Sequence, residues 1–191
     1  MNKAAMLSIR PKWCEKIASG EKIIEVRKTR PKLAPPFKAY IYCTMPDTRD
    51  PHNILELHGA DGKIRKVNGK VIGEFTCKGF IPFSHGRPCF VTGTPEEIER
   101  RACLSREEIW EYAPHGNPIG WRITDLVIYN TPRELTEFRM PCPNDLYCEA
   151  CAMYWENNGT CGNKSLYIKR PPQSWCYVEA MDGERKDGGD G

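Results

Sequence analysis

The stretch SGEKIIEVRK, residues 19–28, brings Lys22, Glu25 and Arg27 close together in the chain. A lysine beside a glutamate in a partly buried cleft can have its pKa tuned for acid–base work. Lys22 and Arg27 can also stabilise phosphate charge, as a nuclease cleft would require. The competing reading is an exposed sheet face with weak ion pairs, each worth at most ~1 kcal/mol.

A second set of chemistry-bearing residues lies in PCPNDLYCEACAMYWENNGTCG. Cys148 and Cys151 form a Cys-x-x-Cys knuckle, with Cys142 upstream and Cys161 downstream. Four thiolates in a short, loop-rich segment match a closed, structural zinc site. An iron–sulfur cluster uses the same ligands and is the lesser expectation. Four reduced cysteines are the alternative. The other six of the ten cysteines are scattered singly and read mostly as small apolar residues. His52, His58, His85 and His115 fall in predicted loops, away from Lys22 in sequence.

The elements that must position these groups follow from pattern. Ala5 to Ile9 reads as a strand. Pro11 opens a short helix whose Trp13, Ile17 and Ala18 share a face and which Gly20 stops. Lys22 to Arg27 is the next strand. Alternation puts Ile24 and Val26 toward the core and Ile23, Glu25 and Arg27 on the other face, where they can line a polar cleft. FKAYIYCTM is a strand rich in aromatic and β-branched residues. Residues 46–70 read as a hairpin-like excursion. VIGEFTCKGFIPF is a bent strand. Thr94 caps one helix, and Ser105 with Glu108 forms the capping box of another. GWRITDLVIY is a further strand, with a turn expected at 130–132.

The chain has 191 residues and a net charge of +3. Residues 1–38 carry ten Lys or Arg against three Glu, whereas the tail from Met181 carries two basic and four acidic residues. A basic N-terminal third suits an anionic partner such as nucleic acid, or a solvated face. No apolar run approaches the ~18 residues of a membrane span, and no signal-peptide pattern is read at the N-terminus, so a cytoplasmic protein without membrane contact is expected. Strands of differing length, few helices and no βαβ rhythm predict an α+β fold built on a small, closed or nearly closed barrel.

The segment LSIRPKWCEKIASGEKIIEVRK resembles the N-terminal signature of ASCH domains, relatives of the PUA domain. The pattern is Gly20, Lys22, Glu25 and Arg27 after a strand and a short helix. YIYCT, KVIGEFTC and GWRITDLVIY resemble the later segments, so the likeness covers roughly residues 5–130. The ending KRPPQSWCYVE, with its cysteine-rich insert, resembles a subgroup common in phages and mobile elements. The resemblance implies a PUA-like barrel over residues 1–138, flanked by short helices. A cysteine-rich lobe with a returning core segment would follow at 139–180, then a disordered tail at 181–191.

It also implies RNA or nucleotide binding in a basic cleft. Lys12, Lys22, Arg27 and Lys28 would supply the cations, Glu25 would orient Arg27 or accept from a base, and Tyr42 and Trp121 are candidate stacking groups, with core packing the alternative for Trp121. One ASCH-like group deacylates a modified cytidine. Lys22 matches its lysine, but Glu25 stands where that group has threonine, and the stretch RRACLSREE before the later helix has no clear equivalent of its glutamate, Glu107 and Glu108 lying inside the helix. That activity is not carried over, and the leading reading is a non-catalytic binder. A cleft hydrolase acting on RNA or a modified nucleoside is the second reading, with Lys22 and Glu25 as catalytic candidates. A module that binds a host protein through the cysteine lobe is the third. The ligand and the oligomeric state are not read from the sequence.

Overall fold

The computed structural model describes residues 3–46, 54–59, 62–89, 93–158 and 161–181. Strand β1 (Lys3–Ile9) leads into helix α1 (Pro11–Ala18), whose first position is the helix-compatible Pro11. Gly20, at φ +78°, turns the chain out of α1. The strands β2 (Ile24–Arg27) and β3 (Phe37–Cys43) follow, then a small hairpin of β4 (Glu56–His58) and β5 (Ile64–Lys66). Next come the long, bulged β6 (Val71–Ser84) and β7 (Arg87–Pro88). Helices α2 (Pro95–Ala102) and α3 (Arg106–Tyr112) precede β8 (Ile119–Arg133). The remainder holds α4 (Ala152–Glu156), short 3-10 turns and β9 (Trp175–Glu179).

Both helix starts are capped as their sequences predict. The Glu97 amide donates to Thr94 Oγ1, and Ser105 and Glu108 exchange the two bonds of a capping box. The strand β8 continues through Asn130 to Arg133, where a turn was expected, because Arg133 still has Val71 of β6 as its partner. His58 lies on β4 rather than in a loop, while His85 and His115 lie in turns. His52 and the tail 182–191 lie outside the described residues.

The main sheet runs β2-β8-β6-β3-β1-β9, with β7 on β6. Only β1 and β3 are parallel among the pairs in this order. The expected barrel is not closed: β2 and β9 are edges, with no ladder between them. Yet the sheet curls until these edges meet. The Arg27 guanidinium of β2 donates to the Ser8 carbonyl on β1 at 2.7 Å. Trp175 Nε1 on β9 donates to Thr29 Oγ1 at 2.9 Å, and the Lys32 amide donates to the Tyr177 hydroxyl at 2.8 Å. Prolines at 31, 35 and 36, which carry no N–H, end the chance of a ladder after β2. Side chains therefore close a seam that backbone leaves open.

Strand alternation sorts the core into layers. Leu7, Ile9, Ile41, Phe75, Trp121 and Ile123 fill the interior of the curl, and Cys14 and Ile17 of α1 plug it. Met6, Tyr40, Val71 and Val178 pack outward under Leu135, Phe138 and Ile168. Ile24, Val26, Ile81 and Phe83 lie beneath Ile98 and Ala102 of α2 and Ile109 of α3. Thus α3 is anchored by one buried residue and presents its other sides to two surface cavities.

Candidate functional site: a pocket at the sheet seam

All four residues of β2 are buried. Ile24 and Val26 meet the helices, as alternation requires, so Glu25 and Arg27 turn into the curl where β1 and β9 fail to reach β2. Lys22 precedes the strand and is held by its main chain: its amide donates to Lys16 O at 2.8 Å. The Lys22 side chain is 1% exposed, and its ammonium donates to the Ala102 carbonyl at the end of α2. It lies 3.5 Å from Glu25 Oε2 and 5.0 Å from the centre of the Trp13 ring. Glu25 Oε1 is 3.0 Å from Arg27 Nε. That pair is close enough to be ionic but lacks hydrogen-bond alignment, so Arg27 Nε keeps an unused donor. The other end of the guanidinium bonds Ser8 O and, at 3.3 Å, Ser174 O. The weak, exposed ion pairs of the competing reading are replaced by a buried cation–anion–cation chain.

Burial lowers the pKa of Lys22, with Glu25 opposing the shift. Burial also raises the phenol of Tyr112, with Arg27 opposing and Glu25 adding. These effects place both groups in one electrostatic neighbourhood.

The chain of charges forms the floor of a cavity of about 650 Å³. Trp13 of α1, Tyr112 of α3 and the lip Pro171–Pro172–Gln173–Ser174 stand around it. That volume falls in the usual range for small-molecule sites. The lining is mixed rather than basic: Arg10, Lys22 and Arg27 face Glu25, Glu108 and Glu111. Lys22, Glu25 and Arg27 are thus brought together as the sequence predicts. Lys12 and Lys28 are exposed beside the lining aromatics, with Lys12 4.7 Å from the Trp13 ring centre and Lys28 5.1 Å from that of Tyr112.

Two predicted stacking residues are elsewhere. Trp121 is the register partner of Glu25 but is fully buried against Phe37, Phe80 and Trp175. Tyr42 is 4% exposed in the outward core. Neither can receive a ligand ring. For the aromatic groups that do line the pocket, Trp13 and Tyr112, the sequence predicts only a place on a helix. Their helical context was visible in sequence, but their convergence with Lys22 was not.

The described residues of 139–166 hold short turns and α4, which has no buried residue. Cys142, Cys148, Cys151 and Cys161 form no disulfide, and Cys151 is exposed. Among the described residues, no three His, Cys, Asp or Glu are grouped to hold a metal ion, so the zinc expectation stays with the spacing alone. Among those residues, no helix is long and apolar enough to cross a membrane.

No protein-family model and no curated protein matches this sequence. Solved structures do. A mutant ZmASCH protein from Zymomonas mobilis aligns with a TM-score of 0.50 at 19% identity, over 92% of this chain and 88% of that one. The crystal structure of ASCH from the same organism gives 0.48 at 18% identity, over 92% and 87%. At this level of identity the likeness concerns the path of the chain, and the fold of this protein is the ASCH fold.

Proposed function

We propose that the seam pocket binds one nucleotide unit, either free or as one residue of an RNA strand, with the base edge on the pocket floor. The observation that carries this reading is the buried Lys22–Glu25–Arg27 chain at the base of a cavity walled by Trp13 and Tyr112. Glu25 offers an acceptor flanked by cationic donors, the pairing that a base edge with adjacent donor and acceptor groups satisfies. A bare phosphate fits less well, because Glu25, Glu108 and Glu111 share the lining. Trp13 supplies a ring for stacking, and the exposed Lys12 and Lys28 at the rim suit the sugar–phosphate backbone.

A hydrolase acting on RNA or a modified nucleoside is the second reading. It is favoured by the lowered pKa of Lys22 beside a carboxylate, the pairing that general acid–base chemistry uses. The bond from Lys22 to Ala102 O must then yield when substrate enters. Phage origin and a host-protein partner remain expectations of the sequence.

The test is titration of mononucleosides, mononucleotides and short single-stranded RNAs at two salt concentrations, with product analysis of each mixture. Binding that is lost in Lys22→Ala/Arg27→Ala and weakened in the milder Trp13→Ala supports the pocket. A shortened RNA or released acyl group moves the assignment to the hydrolase. Failure of the wild-type protein to bind any of these probes overturns both.

A further inference from the structure

We infer a second binding site on the side of α3 facing away from the seam pocket. There Trp110 and His85 form a shelf that stacks one base of a single-stranded nucleic acid while another nucleotide of the same strand occupies the pocket. This rests on the nucleotide reading of the pocket and extends it to a strand.

Helix α3 has two working sides. Glu108 and Tyr112, one turn apart, face the seam pocket together with Glu111. Arg106 and Trp110, also one turn apart, lie roughly opposite on the helical wheel. They line a separate cavity of about 390 Å³ with His85 and Glu107.

The β6–β7 hairpin delivers His85. Its two-residue turn has His85 at φ +52° and Gly86 at φ +74°, the backbone of a tight hairpin turn with both central residues left-handed. A Cβ on Gly86 would lie 2.5 Å from the Arg106 carbonyl, so glycine lets the tip sit directly on α3. Ser84 Oγ lies 3.0 Å from His85 Nδ1 and braces the ring. The imidazole and indole are 5.5 Å apart and only 13° from parallel. Trp110 nevertheless remains 39% exposed.

These two nearly parallel, stacked rings, both exposed and held by a hairpin and a helix, leave an outer π surface on the pair. Bases of any identity stack on such a surface. Arg106 borders it, and Arg87 is exposed beside the turn, so cations are available for the flanking phosphates. The two sites are separated by the breadth of one helix, about 10–12 Å with side chains. A strand passing over α3 would cover that distance in roughly three stacked nucleotides, at about 3.4 Å each.

The experiment compares a mononucleotide with a six-nucleotide single-stranded RNA of the same base, using the full chain. In Trp110→Ala and in His85→Ala, hexamer affinity should fall about five-fold or more, while mononucleotide affinity stays unchanged. Trp110→Phe, which keeps a ring, should retain most of the hexamer affinity. Hexamer binding that is lost in Trp13→Ala but intact in Trp110→Ala overturns the shelf and leaves the pocket reading standing. Equal weakening of both probes in Trp110→Ala also overturns it, because the residue would then only hold α3 in place. If neither probe binds the wild-type protein, the pocket reading fails and the shelf fails with it.

Discussion

The seam and the cysteine segment are the two regions whose residue types promise chemistry, and the fold treats them oppositely. At the seam, elements distant in sequence converge: Arg27 reaches Ser8 and Ser174, and Lys22 reaches Ala102. Around the Cys-x-x-Cys knuckle, bonds such as Trp155 Nε1 to Glu149 O and the Cys151 amide to Cys148 O join near neighbours in the chain, while Met153 and Trp155 stay half or more exposed. At the seam the groups are brought together by contacts that their spacing in the chain does not encode. What gathers chemical groups is burial enforced by the sheet.

The comparison can be broken in several ways. The largest contrast should be in thiol reactivity. Cys151 should be alkylated on the order of a hundredfold faster than the buried Cys14, Cys43 and Cys77 in the native protein. Alkylation followed by peptide mass analysis checks this. About one zinc per chain by metal analysis, with Cys151 protected, would instead make the cysteine segment a gathered site, as its spacing implies.

Next in size is Glu25→Gln, which leaves Lys22 and Arg27 buried without their shared anion. It should cost about 3–5 kcal/mol in chemical denaturation. A loss below about 1 kcal/mol would mean that the charge chain is solvated and that the two regions are alike.

A smaller effect follows from the lowered pKa of Lys22. Between that lowered value and the ordinary lysine value near 10.5, the unfolded chain binds more protons than the folded one, so stability should rise with pH. Below the folded value this contribution is flat. The slope is at most about 1.4 kcal/mol per pH unit, and it should be absent in Lys22→Met. An identical alkaline slope in wild type and variant would place Lys22 in water.

The smallest effect is expected for Trp155→Ala, at 63% exposure. Its stability change should stay within about 0.5 kcal/mol. A loss of several kcal/mol would show that the cysteine segment has a core of its own.

Much of the fold was legible because it rests on local rules. Pro11, Thr94 and Ser105 mark helix starts, and the alternation of β2 correctly separates Ile24 and Val26 from Glu25 and Arg27. The errors arise where depth or long-range closure decides. Alternation places Trp121 on the same side as Glu25, and register makes them partners, yet neither says that Phe37 and Phe80 cover the indole. Ser174 and Trp175 join a region about 147 residues earlier in the chain, a proximity no local pattern encodes. A closed or nearly closed barrel is expected because edges are costly. The protein meets that cost with side-chain bonds across the seam, a solution that leaves no periodic trace.

Closure by side chains has a consequence for how such a protein can diversify. A backbone ladder is a zipper: changing its length shifts the register of everything beyond it. The seam here is fastened more like a row of buttons, with Arg27, Trp175 and Tyr177 each tying a separate point. One button can be moved, or the lip at 171–174 lengthened, while the six-strand order stays intact. The width of the opening is thereby uncoupled from the fabric of the sheet, and the fold can be retailored to a new occupant one fastening at a time.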